Sequence, residues 1–241
     1  MPNLFKRALN RMANHMNARS QFSAFVLLLL ALACLPSVSF AASDSKTADA
    51  YAKAVQLDDE RGMKKLLAAG VDPNLIAQKQ RGETGLMLAV HEDSKKVFAV
   101  LLNAHGIDLN LRSRNGDTAL MIASYKGDVA AVKALLDKEA EPNNTGWTAL
   151  HYAAAVGNDE IVQMLLDASA YIDAGSPNNT TPIMMAARAG KIQTVKLLLD
   201  SGADVTLKND VGMTAIDLAR KFDHDDIADG LTHRLKQAGK L

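Results

Sequence analysis

Cysteine is all but absent: the 241-residue chain has one, Cys34. A disulfide framework needs at least a pair, so the folded body has to be held by packing. Beyond residue 41 there is no thiol at all, which excludes thiol catalysis and zinc–thiolate centres there. Other marks of chemistry are missing as well. Gly190-Lys191 lacks the earlier glycine and the following Ser or Thr of a phosphate-binding loop. Neither His-Glu-x-x-His nor Gly-x-Ser-x-Gly occurs. Net charge is lacking too, with 27 basic residues against 27 acidic ones. Apolar residues are not lacking: at 48% they suffice for a core and argue against global disorder.

The zero balance hides an asymmetry. Residues 1–41 hold Lys6, Arg7, Arg11 and Arg19 and no acid, so the remainder has 23 basic and 27 acidic residues. A mildly acidic body argues against nucleic acid as the partner, because phosphate binding needs a cationic face. The basic stretch precedes the apolar run Phe22–Leu35, then Pro36 and the small-x-small sequence Ser39-Phe40-Ala41. That order reads as a secretory signal peptide over 1–41. The run is shorter than the ~20 residues of a membrane span. Cleavage is expected after Ala41, leaving 200 residues with no membrane insertion. Met12 and Met16 are alternative starts to Met1. Ala31-Leu32-Ala33-Cys34 also resembles a lipobox without the usual leucine three places before the cysteine. An ordinary signal, a lipid anchor at Cys34 and an uncleaved signal anchor therefore stay open. A periplasmic location is the leading reading.

Internal repetition organises the rest. Thr84, Thr118, Thr148, Thr181 and Thr214 are spaced by 34, 30, 33 and 33 residues. Two places after each stands Leu86, Leu120, Leu150, Ile183 or Ile216. Five places after stands Ala89, Ala123, Ala153, Ala186 or Ala219, and seventeen after stands Leu101, Leu135, Leu165, Leu198 or Leu231. The offsets never change, so the length variation falls in loops between rigid units. Each unit reads as two helices. Threonine is a good N-cap, and Pro182 follows Thr181 where its missing N–H costs nothing. Gly127, Gly157 and Gly190, nine places after their threonines, suit the left-handed residue that ends the first helix.

The run Gly146-Trp147-Thr148-Ala149-Leu150-His151-Tyr152-Ala153-Ala154 resembles an ankyrin repeat. So does Thr181-Pro182-Ile183-Met184-Met185-Ala186-Ala187-Arg188-Ala189-Gly190. The resemblance extends in phase over about residues 48–235, and its wider context resembles exported, periplasmic bacterial ankyrin proteins. It implies an all-α solenoid of stacked antiparallel helix pairs with hairpin-like loops and a concave face. On this reading 42–47 is a linker and 48–80 an N-terminal capping repeat with Lys53, Gln56, Lys64 and Lys65 outward. Repeats follow at 81–113, 114–143, 144–177 and 178–209, then a C-terminal cap at 210–235 and a tail at 236–241. The finger before Thr148 is three residues short, and the finger before Thr84 is two residues over length. The family's motif histidine survives only as His151; Met87, Met121, Met184 and Asp217 stand elsewhere. The resemblance implies that His151 bonds the repeat threonine and braces neighbouring turns.

No catalytic set and no cofactor are expected. Asp223-His224-Asp225-Asp226 has residue types suited to a metal, and it also falls where acids complement a helix N-terminus. Ankyrin arrays bind through finger tips and inner helices. Directly before the repeat threonines stand Glu83, Asp117, Trp147, Thr180 and Met213, with Arg81 and Arg114 near the first two tips. Four places after the threonines stand Leu88, Ile122, Tyr152, Met185 and Leu218, with Tyr125, Lys126 and Val156 further along the inner helices. Trp147 and Tyr152 are candidate anchors, since such side chains bury large area with few rotors. The leading expectation is a non-enzymatic module that binds and regulates or protects another protein. The alternatives are a metal-dependent enzyme at the acidic C-terminal turn and a self-associating envelope protein.

Overall fold

The structure, a computed structural model, describes residues 45–78 and 81–239. The segment read as a signal peptide, with Cys34, lies outside the described residues. The described residues form twelve helices in six pairs. The pairs are α1 Ser45–Gln56 with α2 Glu60–Ala68, and α3 Gly85–His91 with α4 Lys95–Leu102. Next come α5 Ala119–Lys126 with α6 Val129–Leu136, and α7 Ala149–Val156 with α8 Asp159–Asp167. The last are α9 Pro182–Arg188 with α10 Ile192–Asp200, and α11 Ala215–Lys221 with α12 Asp225–Gln237. Helix α1 begins inside the stretch read as a linker, its exposed Ser45 and Lys46 leading into the buried Ala48 and Tyr51.

In the last five pairs the first helix starts where the chain switches from extended to helical at Thr84, Thr118, Thr148, Thr181 or Thr214. Gly127, Gly157 and Gly190 then turn the chain at φ 70°, 84° and 69°. In the other three pairs the same place is held by Asp58, Asp93 and Asp223, at φ 49°, 57° and 61°. Aspartate tolerates this region better than most residues and offers a nearby carboxylate. Asp58 uses it at once: its Oδ1 accepts from Val97 N–H at 2.9 Å, capping α4 of the next unit. Ser94, the residue before α4, instead donates its hydroxyl to the Val55 carbonyl at 2.6 Å.

The odd-numbered helices pack in an unbroken series from α1 to α11. Their alanines permit this: Ala89, Ala123, Ala153, Ala186 and Ala219 are at most 1% exposed. A larger side chain there would force the helices apart. The matching leucines of the even-numbered helices, Leu101, Leu135, Leu165, Leu198 and Leu231, are at most 2% exposed and floor the same core. The even-numbered layer is looser. A groove of about 310 Å³ separates α10 from α12, lined by Ile192, Val195, Leu199, Ile227 and Leu231.

The fingers close the architecture. The first forms a two-stranded antiparallel hairpin, β1 Ile76–Gln78 with β2 Glu83–Thr84, Ile76 opposite Thr84. Successive loops are clasped by short polar side chains. Asn74 Oδ1 accepts from Asp108 N–H at 2.8 Å, Asn110 Oδ1 from Glu141 N–H at 2.9 Å, and Asn143 Oδ1 from Tyr171 N–H at 2.8 Å. Asp173 Oδ1 continues the series with Asp204 N–H at 3.0 Å. Asn143 thus ties two repeats together, its amide also donating to the Ser169 carbonyl at 2.9 Å. Tip-to-tip backbone bonds join Arg114 N–H to the Arg81 carbonyl at 2.8 Å and Asp210 N–H to the Asn178 carbonyl at 3.0 Å. At the shortened finger the bridge is a side chain: Arg112 reaches the Thr145 carbonyl at 3.0 Å.

Candidate functional site

His151 is fully buried. Its Nε2 lies 2.8 Å from the Thr180 carbonyl, which can only accept, so Nε2 carries the proton. Nδ1 then accepts from Thr148 N–H at 3.2 Å and lies 2.9 Å from the Thr148 hydroxyl. Burial pushes its pKa below the ordinary histidine value, which keeps the ring neutral. With both nitrogens committed, the ring ties one finger to the next and has nothing left for catalysis. Elsewhere the motif position closes only its own turn. Met121 Sδ accepts from Thr118 N–H at 3.5 Å, Met184 Sδ from Thr181 N–H at 3.4 Å, and Asp217 Oδ2 from Thr214 N–H at 2.9 Å.

At the C-terminal turn, Asp223 is the left-handed residue, His224 is the N-cap of α12, and Asp225 and Asp226 form its first turn. Asp226 Oδ1 accepts from Ile227 N–H at 2.9 Å. Among the described residues no three His, Cys, Asp or Glu side chains converge as a metal site. The acids serve the helix terminus, where negative charge is favoured. Among the described residues no helix is long and apolar enough to cross a membrane.

The open chemistry lies along the odd-numbered helices of the second to fourth units. A cavity of about 250 Å³ is walled by Arg81, Glu83 and His91 from one unit, Asn115, Asp117, Met121, Ile122 and Tyr125 from the next, and Tyr152 from the third. Tyr152 donates its hydroxyl to Asp117 Oδ1 at 2.7 Å across 35 positions of sequence. Its phenol pKa is pushed up by burial and by this bond to a carboxylate. Tyr125, 61% exposed, stands edge-on to Tyr152 with ring centres 5.9 Å apart. Trp147 extends the aromatic surface, 6.4 Å from Tyr152 and 5.3 Å from His151. Glu83, 3% exposed, has Oε1 3.2 Å from His91 Nδ1 and 3.7 Å from Arg81 Nη1.

Four of the expected site residues, Arg81, Glu83, Asp117 and Tyr152, thus share one cavity, and Trp147 adjoins it. Arg114 is exposed on the second finger, packed over Gly82. Thr180 and Met213 are elsewhere. Thr180 is 6% exposed and its carbonyl receives His151, so its work is internal. Met213 is half-buried against the core at the last unit.

The row four places after the threonines is mostly closed: Leu88, Ile122 and Leu218 are at most 7% exposed. Neighbouring odd-numbered helices cover that flank. The open row comes three residues later, at His91, Tyr125, Ala155, Arg188 and Lys221, each seven places after its threonine. This offset is the signal that would have found His91. Asn115 has no such marker, since it sits in a finger turn.

The ankyrin repeats family, in its three-copy form, matches residues 50–145, 86–176 and 169–238. The chain is 34% identical over 175 residues to the human SH3 and multiple ankyrin repeat domains protein 2, covering 70% of this chain and 9% of that protein. It is 31% identical over 163 residues to the human transient receptor potential cation channel subfamily A member 1, covering 63% of this chain and 14% of that one. With the zebrafish (Danio rerio) neurogenic locus notch homolog protein 1 it shares 34% over 125 residues, 51% of this chain and 5% of the relative. The chain therefore spans only a small part of the length of each relative. On the phased threonines, the stacked helix pairs and these matches together, the chain belongs to the ankyrin repeat family.

Proposed function

We propose that this protein is a non-enzymatic interaction module that binds and regulates or protects a partner protein in the bacterial periplasm. Ankyrin repeats generally mediate protein–protein interaction. The observation that carries the reading is the aromatic and acidic cluster of Trp147, Tyr152, Tyr125 and Asp117 on the odd-numbered helices. Large aromatic surfaces with a polar tip are the usual anchors of binding, and here two adjacent units contribute to one patch. The export features of residues 1–41 support the location.

The test is purification of the native protein from its own cells, with and without Trp147→Ala plus Tyr152→Ala. A single stoichiometric partner, retained by the wild type and lost by the double variant, is expected. Intact mass on the same sample reads the mature N-terminus, with Ala42 expected first. Intrinsic turnover by partner-free protein, or a partner indifferent to both substitutions, would overturn the reading.

A further inference from the structure

Glu83 is the least settled side chain of the cavity. Its carboxylate is almost wholly buried, yet Oε2 has no hydrogen-bond partner, and neither does His91 Nδ1 despite lying 3.2 Å from Oε1. Buried polar atoms are nearly always paired, and an unpaired carboxylate oxygen is among the costliest exceptions. Arg81 does not repair this. Its guanidinium stands 3.7 Å from Oε1, outside hydrogen-bond range, and the side chain is 59% exposed. Asp117 brings a second carboxylate to the same cavity, with one oxygen on the Tyr152 hydroxyl. The wall thus sets two acids, Glu83 and Asp117, against one arginine, with His91 beside Glu83. Tyr125 and Tyr152 supply aromatic surface, and Met121 and Ile122 supply an apolar floor.

These features define an occupant. The cavity's 250 Å³ corresponds to about eight waters of liquid, room for one long side chain and not for a folded element. A wall with two carboxylates, one of them holding an unpaired oxygen, calls for a positive, donor-rich head. The aromatic rings favour a cation on their faces, and the floor suits a methylene stem. We infer that the cavity receives a lysine or arginine side chain of the partner protein, with Glu83 as its buried counter-ion. The inference rests on the proposed reading of this face as a protein-binding surface.

It is tested with the whole exported chain and blocked peptides: Gly-Arg-Gly and Gly-Lys-Gly, against Gly-citrulline-Gly and Gly-norleucine-Gly. Trp147 is the sole tryptophan and lies beside the cavity, so its fluorescence reports occupancy, and the methyl resonances of Met121 and Ile122 place it. The basic peptides are expected to bind about tenfold more tightly than the neutral ones. Glu83→Gln is expected to erase that preference while the melting temperature holds or rises, since a buried charge is removed. Should that variant fail to fold, Asp117→Asn and the exposed Tyr125→Ala are each expected to reduce the preference. Equal response to arginine and citrulline, a preference that survives in folded Glu83→Gln, or no response to any basic peptide would overturn the inference. Those outcomes leave the co-purification result standing, so the two readings fail separately. A divalent metal that abolishes peptide binding in wild type and not in Glu83→Gln would show the carboxylate reachable and so support the placement.

Discussion

At the scale of single residues, the array depends on what each side chain can donate or accept. His151 is the clearest case. Its folded pKa lies below the ordinary 6.5 because the buried ring resists protonation. The unfolded chain therefore binds more protons in acid, and stability rises with pH through that range. The tie made by the neutral ring is expected to be fully present above about pH 6.5 and to weaken progressively below it, down to the folded pKa. Urea midpoints measured across this window check the slope. His151→Met, the residue type of the equivalent position in three other units, is expected to be less stable at neutral pH by about 1 kcal/mol and to lose the acid sensitivity. The local duties of such residues were legible from sequence. Threonine caps and the histidine tie follow from short-range chemistry at fixed offsets. Glu83 was legible only as a position. Its buried, unmatched state depends on the hairpin that turns it inward and on His91, which sequence reasoning did not connect to it.

At the scale of the helix pair, the difference between a turn closed on itself and a turn tied to its neighbour becomes a matter of stability. Thr181 is capped at its N–H by Met184, yet its hydroxyl is buried without a partner. The Met213 carbonyl of the next finger stands, like the Thr180 carbonyl opposite His151, directly before a repeat threonine, and it accepts from Asn209 N–H at 3.0 Å. Met184→His is expected to satisfy the hydroxyl and reach that carbonyl, raising stability above pH 6.5 by about 1 kcal/mol. A denaturant midpoint that moves up for histidine and not for Met184→Leu would carry the point. Pair architecture was the most legible level, because the positions of Ala153 and Leu165 and their counterparts repeat with unchanging offsets. The open face was less so. Counting four from the threonine gave a row that adjacent helices cover, since helical rotation alone does not say which flank a neighbour takes. Tyr125 and His91, three residues on, lie clear of that contact. The left-handed Asp58, Asp93 and Asp223 were hidden for a different reason: each replaces glycine at a place where the fold, not the residue, fixes the backbone.

At the scale of the whole array, stability passes from unit to unit, and the ends matter most. Helix α12 buries Ile227, Leu231 and Leu235 against the last core leucines. Three such side chains contribute roughly 5–9 kcal/mol, comparable to the ~5–15 kcal/mol that holds an ordinary domain together. A chain ending at Phe222 is expected to melt far below the full chain, with amide exchange spreading inward from α9 and α10; retention of the full melting temperature would show that α12 is dispensable. The legible part at this scale was the unevenness of the fingers, which the repeat spacings show directly. What the uneven fingers do became visible only with the bridges between them. Arg112 spans to Thr145 where full-length tips meet backbone to backbone. A row of equivalent units has a built-in ambiguity: a ligand displaced by one step meets nearly the same scenery. The finger that is three residues short interrupts that translation inside the array, beside Trp147, and so gives an otherwise repetitive ruler a fixed mark.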